Sequence, residues 1–101
     1  MKDLLKPEEI ERKVLLILRI LNESADPLGA RVLARLMKER GTELSERTVR
    51  YHLKLMDERG LTRLAGRRDG RVISARGQSE LADARVQDKI GFAIARIDIL
   101  S

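Results

Sequence analysis

The stretch Ser45–Leu61, SERTVRYHLKLMDERGL, constrains the fold more than any other part of the chain. Ser45 is a residue whose hydroxyl accepts from a free amide at a helix start. Gly60 is the residue type that most easily ends a helix in the left-handed conformation. Between them Val49, Leu53 and Met56 recur at i, i+4 and i+7, the spacing of one buried helical face. The opposite face carries Arg47, Thr48, Arg50, Tyr51 and Lys54. A short helix offering cations, a hydroxyl and one aromatic suits a DNA major groove. Arginine forks onto guanine, lysine and serine hold phosphate, and threonine meets a thymine methyl. The plainer alternative is a solvated helix, because mixed charge on an outer face is common.

The residues before it supply a partner. Pro7 suits a first helical position, and Glu8, Glu9 and Glu11 favour the positive end of a helix dipole. Ile10, Val14, Ile17, Leu18 and Leu21 form one apolar stripe, which predicts a first helix over Pro7–Glu23. Asn22–Pro27 breaks it with turn chemistry. Gly29 is the candidate N-cap of a second helix running to about Arg40, with Val32, Leu33 and Leu36 inward and Leu28 stapling against Leu33. Gly41 ends that helix only a few residues before Ser45. Two short helices joined by a tight glycine turn, the second basic outside, make a helix-turn-helix.

After Gly60 the period changes to that of strands. Leu61–Leu64 and Arg71–Ser74 are two short β-compatible runs, and the turn between them ends in Asp69-Gly70, a hairpin signal. A hairpin directly behind a recognition helix is the wing of a winged helix. Arg67 and Arg68 fall at its tip, with Arg63 and Arg71 beneath. The alternative is a surface hairpin that is basic by chance. Residues 75–84 predict a further short helix, with Leu81 its main apolar residue and Gly77 a weak point. In the tail, Val86, Ile90, Ile94 and Ile97 stand roughly at helical spacing, although Ile90, Phe92 and Ile94 also alternate as in a strand. This apolar tail packs back on helix 1, pairs with a second copy, or leads into a further domain.

Charge distribution separates the function classes. Residues 45–76 hold nine basic and four acidic side chains, so this window carries the whole net charge of +5. That is the footprint of a polyanion-binding face. With no cysteine and His52 as the sole histidine, a zinc site would rest on carboxylates, and no cofactor or catalytic motif is present. His52 reads as packing beside the buried face rather than as a catalyst, and the chain reads as no enzyme. No apolar run approaches the ~18 residues of a membrane span, and the charged start lacks a signal peptide. The chain is therefore expected to be soluble and cytoplasmic.

TVRYHLKLMDERGL resembles the recognition-helix segment of bacterial and archaeal winged-helix repressors, including the ArsR-type pattern of H-L-K, an aliphatic residue and then Gly-Leu. A broader resemblance runs from ERKVLLILRIL through GRRDGRVISARGQSELADARVQDKIGFAIARID. Over this length the chain is similar to the N-terminal winged-helix domain of the archaeal nitrogen-regulation repressor (NrpR) family. That resemblance implies a dimeric repressor of nitrogen-assimilation genes on palindromic operators, induced by 2-oxoglutarate. The effector-sensing domain of such repressors is not in this chain, which is either a piece of a longer regulator or a stand-alone relative. Any response to 2-oxoglutarate then belongs to a longer chain.

The reading is a mainly α fold with a small β-hairpin: a winged helix-turn-helix over residues 1–76, with a three-helix core plus wing. Residues 77–101 form a C-terminal helical extension, for dimerisation or as a link. Its partner is double-stranded DNA. Ser45 anchors the helix start, where free amides meet a phosphate. Arg47, Thr48 and Tyr51 reach base edges, while Arg50 and Lys54 read bases or clamp the backbone. Arg67 and Arg68 reach the flanking minor groove or its phosphates, supported by Arg63 and Arg71. Two rivals are a winged helix used as a protein-interaction module, with the tail as working surface, and an RNA-binding winged helix. The charge concentration speaks against the first. Tyr51 as sole aromatic on the basic face speaks against the second.

Overall fold

The structure, a computed structural model, describes residues 7–66 and 68–84. In chain order these form α1 (Pro7–Glu23), α2 (Ala30–Glu39), α3 (Glu46–Glu58), β1 (Thr62–Leu64) and β2 (Arg71–Ile73). Residues 75–84 are helical and are called α4. The readings of Arg67 and of the tail from Val86 lie outside the described residues.

Aliphatic side chains from every helix meet in one core, as a chain with only 2% aromatics requires. α1 gives Val14, Ile17, Leu18, Ile20 and Leu21; α3 gives Val49, Leu53 and Met56; Leu61 and Leu81 close it. In α2 the buried residues are Ala30, Leu33 and Met37. The predicted stripe of Val32, Leu33 and Leu36 is therefore rotated: Val32 and Leu36 are only half-buried. Ala30 and Met37 stand at i−3 and i+4 from Leu33, so the inward face is centred one step away from the predicted line.

Both helices of the helix-turn-helix end the same way. At α2 the Gly41 amide donates to the Lys38 carbonyl (3.0 Å) and the Thr42 amide to the Met37 carbonyl (2.9 Å). At α3 the Gly60 amide donates to Asp57 (3.0 Å) and the Leu61 amide to Met56 (2.9 Å). These paired bonds are Schellman motifs. Both glycines are left-handed, with φ of +89° and +76°, where a Cβ would be strained. The second motif also buries Leu61 beside Met56, which fixes where the chain leaves α3 and enters the wing.

The wing is an antiparallel pair with register Thr62↔Ile73, Arg63↔Val72 and Leu64↔Arg71. Its turn lies where the sequence places it, between Leu64 and Arg71. Left-handed backbone falls at Gly66 and Arg68, and the Ala65 amide donates to the Gly70 carbonyl (2.9 Å), so the loop spans Ala65–Gly70. A further bridge joins Leu28 to Arg71 through two backbone bonds of 3.0 and 2.8 Å. Leu28, predicted as a staple for α2, thus also supplies the third edge of the small sheet. Gly77 is not a weak point. It is buried in α4, and a Cβ there would lie 2.2 Å from the Leu61 carbonyl oxygen. The Ser74 hydroxyl accepts from the Gly77 amide (3.0 Å) and donates to the Gly60 carbonyl (2.6 Å), tying α4 to the end of α3. The arrangement is a winged helix-turn-helix.

Candidate nucleic-acid interface

α3 presents the predicted set on one exposed face because its other face is fully occupied. Val49, His52, Leu53 and Met56 are buried, which turns Arg47, Arg50, Tyr51 and Lys54 outward. Tyr51 is 60% exposed, unusual for a large ring, and so available to a partner. At the helix start the Ser45 hydroxyl accepts from the Thr48 amide (3.1 Å) and donates to the Thr48 hydroxyl oxygen (2.9 Å). Helix start, hydroxyl and Arg47 thus lie together at the N-terminal end of α3.

The cations of this surface divide into two kinds. Among the described residues, Arg47, Lys54, Arg63 and Arg68 are exposed and take part in none of the ion pairs seen. Arg50 is engaged: its Nη2 lies 2.7 Å from Glu46 and 3.7 Å from Asp69. The hydrogen bond that Arg50 donates to Glu46, with the charges of Glu46 and Asp69, holds this guanidinium above its ordinary pKa. Arg59, counted in the basic window, pairs with Glu11 of α1 at 3.9 Å.

Arg71 corrects the sequence reading. It was expected to support the cationic face, yet it is only 9% exposed. Its Nε donates to both Asp57 carboxylate oxygens (3.2 and 3.0 Å), and its Nη1 donates to the Asp69 carbonyl (2.7 Å). Asp57 also accepts from the Thr62 hydroxyl (2.6 Å). Arg71 is therefore the bolt between α3 and the wing. Releasing it to a phosphate would strand the Asp57 carboxylate. The acids Glu46 and Asp69, absent from the predicted site, sit within it. Glu46 was legible as an i, i+4 partner of Arg50; Asp69 carries no local signal.

His52 is buried, 7% exposed, and among the described residues its Nδ1 has no hydrogen-bond partner. Burial, with the charge of Lys13 nearby, pushes its pKa below the ordinary value and favours neutral imidazole. Among the described residues no group of three His, Asp or Glu side chains is placed to hold a metal ion. Among the same residues no helix is long and apolar enough to cross a membrane.

Comparison with known proteins agrees with this architecture. The chain is 46% identical over 90 residues to the global nitrogen regulator NrpRI of Methanosarcina mazei, a match covering 89% of this chain and 28% of that protein. It is 42% identical to the global nitrogen regulator NrpR of Methanocaldococcus jannaschii, over 88% of this chain and 16% of that protein. For NrpR of Methanococcus maripaludis the identity is also 42%, over 80% and 15%. The chain thus spans less than a third of the length of each of these relatives. No solved structure matches it significantly. A family model described as the ribonuclease R winged-helix domain matches residues 15–81, from the middle of α1 to Leu81 of α4, and the chain belongs to that winged-helix family.

Proposed function

We propose that this chain is the DNA-binding domain of a transcriptional regulator, reading double-stranded DNA by sequence as part of a cytoplasmic repressor of nitrogen-assimilation genes. The observation that carries this reading is the outer face of α3. There, Arg47 and Lys54 lie free of ion pairs among the described residues, beside the Thr48 hydroxyl and an exposed Tyr51. The names of the relatives support the regulatory part. Arg47, Thr48 and Tyr51 contact base edges; the amides behind Ser45 and the side chain of Lys54 hold phosphates. Arg63 and Arg68, with Arg67, carry the wing onto the flanking duplex. The domain acts as a homodimer on a palindrome, with no enzymatic role, and any 2-oxoglutarate response resides in a longer chain.

RNA binding has one finding in its favour, the ribonuclease R description of the family. Against it, Tyr51 is the sole aromatic on the basic face among the described residues, while single-strand readers stack several bases. Selection from a randomised duplex pool, read by fluorescence anisotropy at two salt concentrations, tests the proposal. Enrichment of a palindrome with half-sites ~10 base pairs or a multiple apart is the predicted result. Binding without enrichment would reduce the domain to a nonspecific DNA binder, and preference for a single-stranded RNA competitor would favour the RNA reading.

A further inference from the structure

An alternating chain of charge crosses the proposed interface. It starts at Asp57 in the last turn of α3, passes to Arg71, and from Arg71 Nη1 to the carbonyl of Asp69 (2.7 Å). The Asp69 carboxylate then lies 3.7 Å from Arg50 Nη2, which is 2.7 Å from Glu46 in the first turn of α3. Asp69 is thus held from behind by the buried bolt and faces Arg50 in front. Position 29 makes room for it: a Cβ on Gly29 would lie 2.7 Å from Asp69 Oδ1.

An acid on a polyanion-binding face lowers affinity for every duplex, so its contribution must lie elsewhere. Phosphate contacts carry no sequence information, whereas base contacts do. An arginine between two carboxylates is drawn less to any passing phosphate and stays aligned with its helix. Weakening the attraction to wrong sites is a route to specificity. We propose that Asp69 is a specificity-setting positioning residue, which reaches from the wing turn to hold Arg50 along the recognition helix and off the phosphates. This inference rests on the DNA-binding reading above.

The test is anisotropy titration of the full chain against its selected duplex and a random-sequence duplex, over a range of salt. Asp69→Asn should bind the random duplex about 3–10-fold tighter, with a salt slope steeper by about one contact, so that the specific-to-random ratio falls. Gly29→Ala, which displaces the Asp69 carboxylate without changing any charge, should lower the ratio in the same direction. In an Arg50→Ala background Asp69→Asn should leave the ratio unchanged, because the coupling has lost its other half. Equal tightening on both duplexes, or an Asp69→Asn effect on the ratio that survives in Arg50→Ala, would overturn the proposal and leave the DNA-binding reading intact. Failure of the wild-type chain to bind any duplex would overturn both.

Discussion

Arg71 and Arg63 lie on paired strands of one hairpin, and the fold uses them in opposite ways. Arg71 opens β2 just past the wing loop and is almost fully buried against Asp57, with backbone bonds to Leu28. Arg63 points into solvent and, among the described residues, takes part in no ion pair. Desolvation makes the difference. A buried cation needs its carboxylate and cannot exchange it for a phosphate, whereas a hydrated one is free to do so. The wing is therefore fixed on its inner side by Arg71 and charged on its outer side, and net charge alone overstates how much of it faces a ligand.

The buried contacts behind the wing should fail hardest. Gly77→Ala drives a Cβ into the Leu61 carbonyl, a backbone atom with little freedom to retreat. It should cost about 3 kcal/mol, seen as a lower urea midpoint with unchanged slope. Arg71→Ala comes next. It leaves the part-buried Asp57 carboxylate without its cation and should cost about 2 kcal/mol. If Arg71→Ala kept full stability but lost DNA affinity, the division between the buried and the exposed side of the wing would be mistaken.

The outer edge should respond in the other currency. Arg63→Ala should alter stability by less than about 0.5 kcal/mol. Its salt slope for duplex binding should become shallower by ~0.9, the value of one phosphate contact. A last contrast, between the two faces of α3, is set by pH. His52 is held neutral inside, and its folded pKa lies below the unfolded one. Stability is then whole above the unfolded value near ~6.5. It declines as pH falls from there toward the folded pKa, by at most about 1.4 kcal/mol per unit, because the unfolded chain takes up the proton first. Urea melts at pH 7.5 and 5.5 should show this decline, and His52→Gln should flatten it.

How much of this was legible follows from the range of each interaction. The Ser45 cap, the two glycine stops and the Val49, Leu53 and Met56 stripe are local devices, readable from spacing, and they placed α3 and its outward face. The hairpin was readable as two strands around a turn. What could not be read depends on contacts across the fold. Leu28 meets Arg71, Asp57 meets Arg71, and Gly77 meets Leu61 only once the helices have packed. No local pattern distinguishes a bolt from a free arginine, and Arg71 was misread for that reason. The rotated stripe of α2 has the same origin: Met37 outcompetes Val32 for the core because of where α1 and α3 stand.

The central claim is that α3 reads sequence while the wing edge adds affinity without reading it. One measurement tests it most directly: anisotropy titration of wild type, Arg47→Ala and Arg68→Ala against the selected duplex and a scrambled one at fixed salt. Arg47→Ala should lose ~1–3 kcal/mol on the selected duplex and far less on the scrambled one, while Arg68→Ala should weaken both by a similar factor. Equal, proportionate losses from both variants on both duplexes would contradict the account.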